Sequence, residues 1–418
     1  MRLNGVAVLA SLFCIPGFLM VSGCGETFRP VASLLPGPGG DPQRLTMSAT
    51  VADNGGNPGT ATNVNVSGDS NVGQLTLGRN PVHAGVQVNS RIYVPNRGDN
   101  TVSQFNVLLP LTAPVTITLP AGSDPVFAHT TESGNMYVAE PGTDKVGVIV
   151  GNVLQAEITV GGNPVALAET PDGRKLYVVN NGSNNVSVIN TVDRTVSGSP
   201  IAVGASPVWA VVSSDGALLF VVNQGSSSVS VIDTSNDTNI ATIPVGAGPN
   251  FAFYDRSLKR VYVTSPGGNT LSVIKADLAL PGLPTEIARV SVAASPCSGS
   301  NPVAVTALPN GSRAYVANQG SDNVCVLSTT NNQFIRSIGV GTSPVSIGSS
   351  FDSTKVHVAN AGGGTATDPG GTSVIRTVDD TVAVTIPAPK QDANCTDPAL
   401  PAAPTCMRQT PTIVVITQ

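Results

Sequence analysis

Residues 158–190 read ITVGGNPVALAETPDGRKLYVVNNGSNNVSVIN, and residues 201–233 repeat the pattern as IAVGASPVWAVVSSDGALLFVVNQGSSSVSVID. A third copy, IPVGAGPNFAFYDRSLKRVYVTSPGGNTLSVIK, occupies residues 243–275. Each copy holds four short runs rich in β-branched residues, and turn-forming stretches such as Pro-Asp-Gly and Asn-Gly-Ser separate them. The pattern therefore predicts a unit of four antiparallel strands, here called A to D.

An anchor proline opens strand A of every unit, and strand B carries the Tyr-Val-x-Asn run. Strand C is the Val-Ser-Val-Ile run, and strand D ends in Ile-x-Val-Gly. Four-stranded blades of about 40 to 50 residues are typical of β-propellers. The sequence therefore predicts an all-β propeller, with anchor prolines at Pro81, Pro125, Pro164, Pro207, Pro249, Pro302 and Pro344.

The two ends of the chain predict an eighth blade that is split between them. Residues 50–56 (TVADNGG) match the strand B of residues 357–363 (HVANAGG), and residues 63–66 and 72–77 read as strands C and D. The missing strand A is offered by residues 410–416 (TPTIVVI). Pairing both ends in one sheet would leave no exposed edge. Eight blades are favoured, with seven blades and decorated ends as the alternative.

The runs YVPN (93–96), YVVN (177–180), YVAN (315–318) and VSVID (229–233) resemble the YVTN-repeat family of surface-layer and lactonase-like propellers. The resemblance extends over nearly the whole chain after residue 44. It implies a propeller, usually with seven blades, and it implies no particular chemistry.

The first 24 residues resemble a bacterial lipoprotein signal. One arginine, Arg2, precedes an apolar run that Pro16 and Gly17 interrupt, and small residues lead directly to Cys24. This pattern predicts lipid attachment at Cys24, with an ordinary signal peptide as the alternative. The resemblance to lipoproteins implies the outer membrane of a Gram-negative cell, because Gly25 rather than aspartate follows the cysteine. Residues 25–44 are rich in proline and glycine and are interpreted as a flexible tether, so the propeller is assigned to residues 45–418.

Departures from the repeat length fall on one predicted face. Because successive strands are antiparallel, the D–A and B–C loops share a face. The departures comprise the 294–301 insert, the 362–372 and 54–62 loops, and a Pro-rich, Cys-containing insert at 387–410. Long loops on a rigid scaffold commonly bind partners.

Four cysteines remain after Cys14 and Cys24 are set aside. Cys395 and Cys406 flank the Pro-rich insert, and Cys297 and Cys325 fall near one end of the same blade. In an oxidising compartment they predict disulfides 395–406 and 297–325, with free thiols as the alternative.

Candidate functional side chains are few. His83 and His129 follow neighbouring anchor prolines and are expected near the ring axis, where core packing is favoured over a ligand role. His357 is interpreted as structural, and Asp172, Asp215 and Asp233 as turn carboxylates without an evident partner. The last residue of each strand B suggests either a polar ring at the channel mouth or a structural turn cap: Asn96, Glu140, Asn180, Asn223, Ser265, Asn318, Asn360 and Asp53.

These features favour a binding module over an enzyme. The net charge of −5 and the absence of Lys/Arg clusters argue against nucleic-acid binding. The sequence contains no catalytic-serine, P-loop or metal-binding motif, so no cofactor is expected. The favoured function is a monomeric, membrane-anchored scaffold whose rim loops contact an envelope protein or glycan. The alternatives are a lactonase-like hydrolase with a channel site and a surface-layer or adhesive structural protein.

Overall fold

The computed structural model describes residues 47–54, 57–65, 70–86, 91–107, 111–131, 134–276, 282–362, 370–387 and 410–416. These residues form 32 β-strands and one short 3-10 helix, Pro266–Gly268. The predicted signal (1–24), the tether (25–44) and most of the 387–410 insert lie outside the described residues. Within the described part of the chain, none of the helical structure has the length and apolarity needed to cross a bilayer.

The strands form eight four-stranded antiparallel sheets. The chain begins with β1 (Met47–Asn54), β2 (Asn57–Asn65) and β3 (Ser70–Arg79). Blade 1 contains β4 (Gly85–Val86), β5 (Arg91–Asn96), β6 (Thr101–Asn106) and β7 (Val115–Thr118), and blade 2 contains β8 (Phe127–Thr130), β9 (Met136–Glu140), β10 (Lys145–Val150) and β11 (Val153–Thr159). Blade 3 contains β12 (Pro164–Glu169), β13 (Lys175–Asn180), β14 (Asn185–Asn190) and β15 (Thr195–Ala202). Blade 4 contains β16 (Pro207–Val212), β17 (Leu218–Asn223), β18 (Ser228–Asp233) and β19 (Thr238–Pro244).

Blades 5 to 7 repeat the same meander of four strands. Blade 5 contains β20 (Phe251–Asp255), β21 (Arg260–Ser265), β22 (Thr270–Lys275) and β23 (Thr285–Ser291). Blade 6 contains β24 (Pro302–Ala307), β25 (Arg313–Asn318), β26 (Asn323–Ser328) and β27 (Gln333–Gly339). Blade 7 contains β28 (Pro344–Ser349), β29 (Lys355–Asn360), β30 (Gly371–Arg376) and β31 (Thr381–Pro387). The last strand is β32 (Thr410–Ile416).

Blade 8 joins the two ends of the chain, as the sequence predicted. Its strand order is β3-β2-β1-β32, and Ser48 pairs with Ile416 while Val51 pairs with Ile413. Ala49 and Val51 pack with blade 1, and Val64 packs with Val374 of blade 7. The split blade therefore closes the ring. The prediction of a long 54–62 loop was wrong, because strand β2 already begins at Asn57 and extends the ladder of blade 8.

Both faces of each blade pack against a neighbouring blade. Strands B and C are therefore almost continuously apolar, as expected for sheets covered on both sides. A tyrosine at the second or third position of strand B is fully buried in four blades: Tyr137, Tyr177, Tyr262 and Tyr315. The A strands of adjacent blades contact one another, so they form the inner wall of the ring.

Hydrogen bonds on the D–A and B–C face connect each blade to the next. The residue before the anchor proline has a positive φ, and in blades 2 to 7 its backbone N–H donates to the side chain that precedes strand C of the previous blade. Asn163 donates in this way to Asp144 at 2.7 Å, and Ser206 donates to Asn184 at 2.7 Å. The N–H of Asn181 donates back to the carbonyl of Asn163 at 2.9 Å, so these loops share one face as predicted.

The glycine of the Val-Gly-x-x-Pro motif makes room for the last residue of strand B. A Cβ at Gly161 would lie 2.6 Å from Nδ2 of Asn180, and one at Gly204 would lie 2.7 Å from Cγ of Asn223. A side chain cannot fit at these distances, which explains why the motif recurs.

On the opposite face, cationic and tyrosine side chains donate hydrogen bonds to a carboxylate of the next blade. Nζ of Lys175 donates to Asp237 at 2.8 Å, and the hydroxyl of Tyr177 donates to the same carboxylate at 2.6 Å. Arg313 and Tyr315 repeat the arrangement on Asp380, at 2.8 and 2.7 Å. These contacts hold neighbouring blades in register, and with them the side chains of the inner wall.

Candidate functional site in the central channel

A histidine and a glutamate from adjacent blades meet on the inner wall. Nε2 of His129, on strand β8, lies 3.1 Å from Oε2 of Glu169, the last residue of strand β12. The His129 side chain is 7% exposed and that of Glu169 is fully buried. The pair joins strand A of blade 2 to strand A of blade 3.

The second carboxylate oxygen of Glu169 has no hydrogen-bond partner among the described residues. Burial raises the pKa of the nearby Tyr137; Arg194 opposes this shift and the charge of Glu169 adds to it. The Tyr137 hydroxyl donates to the Thr191 carbonyl at 3.4 Å. Glu169 therefore retains hydrogen-bonding capacity beyond His129, in a buried setting where such capacity is costly to leave unused.

The second inner histidine is held neutral. Burial, and then the neighbouring His129, lower the pKa of His83 to about 3. Its Nδ1 accepts a hydrogen bond from the Ala128 N–H at 3.4 Å, so the neutral ring carries its proton on Nε2. His83 and His129 are thus brought together near the axis, as the sequence predicted.

Aromatic rings lie beside the pair. His83 stacks on Phe127 with ring centroids 3.8 Å apart, and Trp209 meets Phe127 edge-on at 5.5 Å and Phe251 at 4.8 Å. Nε1 of Trp209 donates to the Ala252 carbonyl at 3.1 Å, which fixes the indole. All four rings come two residues after an anchor proline, so equivalent positions in four blades build one aromatic layer.

The predicted polar ring does not line the channel mouth. Its members in blades 1 to 7 are fully buried: Asn96, Glu140, Asn180, Asn223, Ser265, Asn318 and Asn360. Strand B is the second strand from the axis, and these side chains point along the sheet to strand C; Asn180 Nδ2, for example, donates to Ser187 at 2.9 Å. The left-handed turn residue expected here is found four positions later, as at Asn184. Asp53 pairs through its backbone with Thr410, and its side chain lies outside the described set.

Glu140 differs chemically from the asparagines whose position it shares. Burial, and then the charge of Glu157, raise the pKa of Glu140 to about 7. A Cβ at Gly147 would lie 2.3 Å from its carboxylate, so the glycine in strand C accommodates the longer side chain. This carboxyl group belongs to the interior of blade 2 and is separate from the inner wall.

The remaining predicted candidates have structural partners. Asp172 accepts hydrogen bonds from the hydroxyl of Thr170 and the N–H of Arg174, and Asp215 and Asp233 accept similar bonds from Ser213 and Ser235. These residues are turn carboxylates, as the sequence indicated, and the partners that the sequence did not identify lie within the same turns. His357 is fully buried, and burial followed by Lys355 lowers its pKa to about 3.

Cys297 and Cys325 form a disulfide, as predicted. Cys325 occupies the strand C position that is serine in most other blades, and Asn318 Nδ2 lies 3.1 Å from its sulfur. The bond fixes the 294–301 insert, in which Ala294 and Pro296 are exposed. Cys24, Cys395 and Cys406 lie outside the described residues.

No group of three or more His, Cys, Asp or Glu side chains that could hold a metal ion occurs in the described part of the chain. The chemistry available on the inner wall is that of a His–Glu pair beside an aromatic surface. Sequence reasoning missed Glu169. Its position in the repeat could have revealed it, because the six other blades with an anchor proline have an uncharged residue five positions after that proline.

The fold defines the chain as a β-propeller. The model of the family described as Lactonase, 7-bladed beta-propeller, matches residues 127–245, which form blades 2 to 4 and include His129, Glu169 and Trp209. Eight blades are present here, one more than that description states. No curated protein sequence matches the chain at a significant level.

Solved structures of other propellers resemble the chain at low identity. Hydrazine synthase of Kuenenia stuttgartiensis is 20% identical over 71% of this chain and 95% of its own, with a TM-score of 0.57. Periplasmic gluconolactonase PpgL of Pseudomonas aeruginosa is 18% identical over 72% and 98%, with a TM-score of 0.56. Dihydro-heme d1 dehydrogenase NirN is 13% identical over 82% and 73%, with a TM-score of 0.64. At these identities the likeness concerns the fold.

Proposed function

We propose that the protein is a lactonase-like hydrolase whose site is the inner wall around His129. The observation that carries the proposal is the contact between His129 and the buried Glu169. A carboxylate that holds one imidazole nitrogen fixes the tautomer and makes the other nitrogen a competent general base. The partial match to a lactonase family over these same blades supports this function over the binding function that the sequence favoured.

In the proposed reaction, Nε2–H of His129 donates to Glu169, and Nδ1 is the basic nitrogen. Water attacks the carbonyl carbon of a lactone while Nδ1 takes its proton. The ring C–O bond then breaks, and the imidazolium returns the proton to the departing alkoxide, giving a hydroxy acid. Glu169 is a positioning residue that stabilises the transient imidazolium charge.

Glu169→Gln is expected to lower kcat for lactone hydrolysis about a hundredfold, because the amide cannot balance the imidazolium charge. KM should stay nearly unchanged, since Glu169 does not touch the substrate. The measurement is steady-state hydrolysis of a neutral lactone by the full chain.

Glu140→Gln is the matched control for this experiment. Glu140 is equally buried but lies in strand B of blade 2, away from the inner wall. Its substitution should leave kcat intact. Equal kcat values for Glu169→Gln and the unsubstituted protein, or no lactone hydrolysis by the latter, would remove the proposal.

A second function is supported by the disulfide-fixed insert at 294–301. We propose that lipid at Cys24 anchors the protein in the cell envelope and that this rim contacts an envelope protein or glycan. Strand β1 begins on the face opposite to the insert, so a preceding tether would leave the rim pointing away from the membrane.

A photo-crosslinker at Pro296 is expected to give a discrete adduct in intact cells, whereas one at the 84%-exposed Val378 on the opposite face should not. Cys24→Ala should move the protein from the membrane to the soluble fraction. Identical crosslinking from both faces, or unchanged fractionation, would contradict the respective part of the proposal.

A further inference from the structure

The wall beside the His–Glu pair is apolar at successive levels. The residue after the anchor proline is a partly exposed or exposed valine in six blades: Val82, Val126, Val165, Val208, Val303 and Val345. Asn250 takes this position in blade 5, where its Nδ2 donates to the Val303 carbonyl at 3.0 Å. A ligand that enters the channel past the D–A loops therefore first contacts these apolar valine side chains.

The next level has an aromatic ring in four blades and a small residue in three. His83, Phe127, Trp209 and Phe251 supply the rings, and Trp209 remains partly exposed. The equivalent residues of blades 6 and 7 are Ala304 and Ser346. Blade 3 has the small residue Ala166 at this level, and the partly exposed Trp209 keeps part of its indole surface accessible to a flat ring.

The aromatic level is close to the reactive pair. Phe127 and His129 lie two residues apart on strand β8, so their side chains share a face and are separated by about 7 Å along the strand. A ring stacked on Trp209, which contacts Phe127, would bring an ester group within reach of His129.

The wall offers no cation to an anionic ligand. Among the described residues from each anchor proline to the end of strand A, the acidic or basic side chains are His83, His129, Glu169 and Asp255, with no lysine or arginine. Asp255 accepts bonds from the N–H and hydroxyl of Ser257 and is thereby engaged in its turn. A phosphate or carboxylate entering here would lose its hydration without gaining a counter-ion, which is strongly unfavourable.

We propose that this wall binds an uncharged, largely apolar ring ligand stacked on Trp209. The inference rests on the proposed function and specifies it: the substrate is a neutral lactone with an apolar ring, and phosphorylated or carboxylated lactones are excluded. Aromatic stacking and burial supply the affinity, and His129, positioned by Glu169, lies at the reactive end of the ligand.

Trp209 is the single tryptophan of the chain, so its fluorescence reports directly on the site. Dihydrocoumarin titrated into the full-length Glu169→Gln protein is expected to quench this fluorescence saturably. The same ring bearing a carboxylate should bind at least tenfold more weakly. Calorimetry should give about tenfold weaker dihydrocoumarin binding for Trp209→Ala and a smaller loss for Trp209→Phe, which keeps an aromatic ring at the site.

Unchanged Trp209 fluorescence, or equal affinity for the carboxylated ring, would overturn the inference. Lactone hydrolysis without a change in Trp209 fluorescence would overturn the inference about the ligand site but would still support the proposed hydrolase function. Saturable quenching without hydrolysis by the unsubstituted protein would instead keep the ligand site and remove the proposed reaction.

Discussion

Replacing both Cys297 and Cys325 by alanine is expected to lower the free energy of unfolding by about 3.5 kcal/mol. The two cysteines are 28 residues apart in sequence, and the bond between them restricts the unfolded chain by a loop of that length. Both side chains are fully buried, so the loss should not depend on solvent contacts. Guanidinium unfolding of the oxidised protein and the double variant measures the difference.

The repeat itself provides a control for this substitution. In blade 3, Asn180 Nδ2 donates to Ser187, and Cys325 occupies the position of that serine in blade 6. Cys297→Ala/Cys325→Ser should therefore recover about 1 kcal/mol over the double alanine variant through a bond to Asn318. A double alanine variant as stable as the oxidised protein would show that the disulfide does not contribute to the free energy of unfolding.

The blades could be predicted because the evidence for them is local. Each anchor proline, β-branched run and turn recurs with the spacing of one blade, and sheets covered on both faces need apolar residues throughout. The split blade was also predictable, since residues 410–416 match the strand A that residues 50–77 lack. Closing the ring buries both edges, so the pairing is energetically favoured.

The inner wall could be predicted only in part, because it is assembled from different repeats. The sequence allowed two interpretations of the asparagine that ends strand B, a channel-mouth residue or a turn cap. Strand B is second from the axis, and the side chain of this asparagine meets strand C inside the blade. His129 and Glu169 come from consecutive blades, 40 residues apart. Their contact depends on how adjacent strands A are staggered, which no single repeat reveals.

Acidification should destabilise the protein through two buried histidines. Burial lowers the pKa values of His83 and His357 from 6.5 to about 3. Below pH 6.5 these histidines bind protons in the unfolded chain but not in the folded chain. The free energy of unfolding is therefore undiminished above that pH and falls as the pH drops toward 3. Between pH 7.5 and pH 4.5 the two groups together should remove about 5 kcal/mol from the free energy of unfolding.

Glu140 acts in the opposite direction. Its pKa is raised from 4.5 to about 7, so the folded protein holds an extra proton between these values and gains stability as the pH falls through that window. Glu140→Gln should therefore steepen the acid loss. Guanidinium unfolding across pH 4.5 to 7.5 separates this carboxyl from the histidines.

His357→Tyr isolates one histidine, because tyrosine is the buried residue at the equivalent position of strand B in other blades, such as Tyr177 and Tyr315. The variant should lose about 2.5 kcal/mol less than the unsubstituted protein between pH 7.5 and pH 4.5, half of the histidine contribution. Parallel pH profiles for the two proteins would mean that the folded state takes up the proton at His357, and that its burial within blade 7 does not hold the ring neutral.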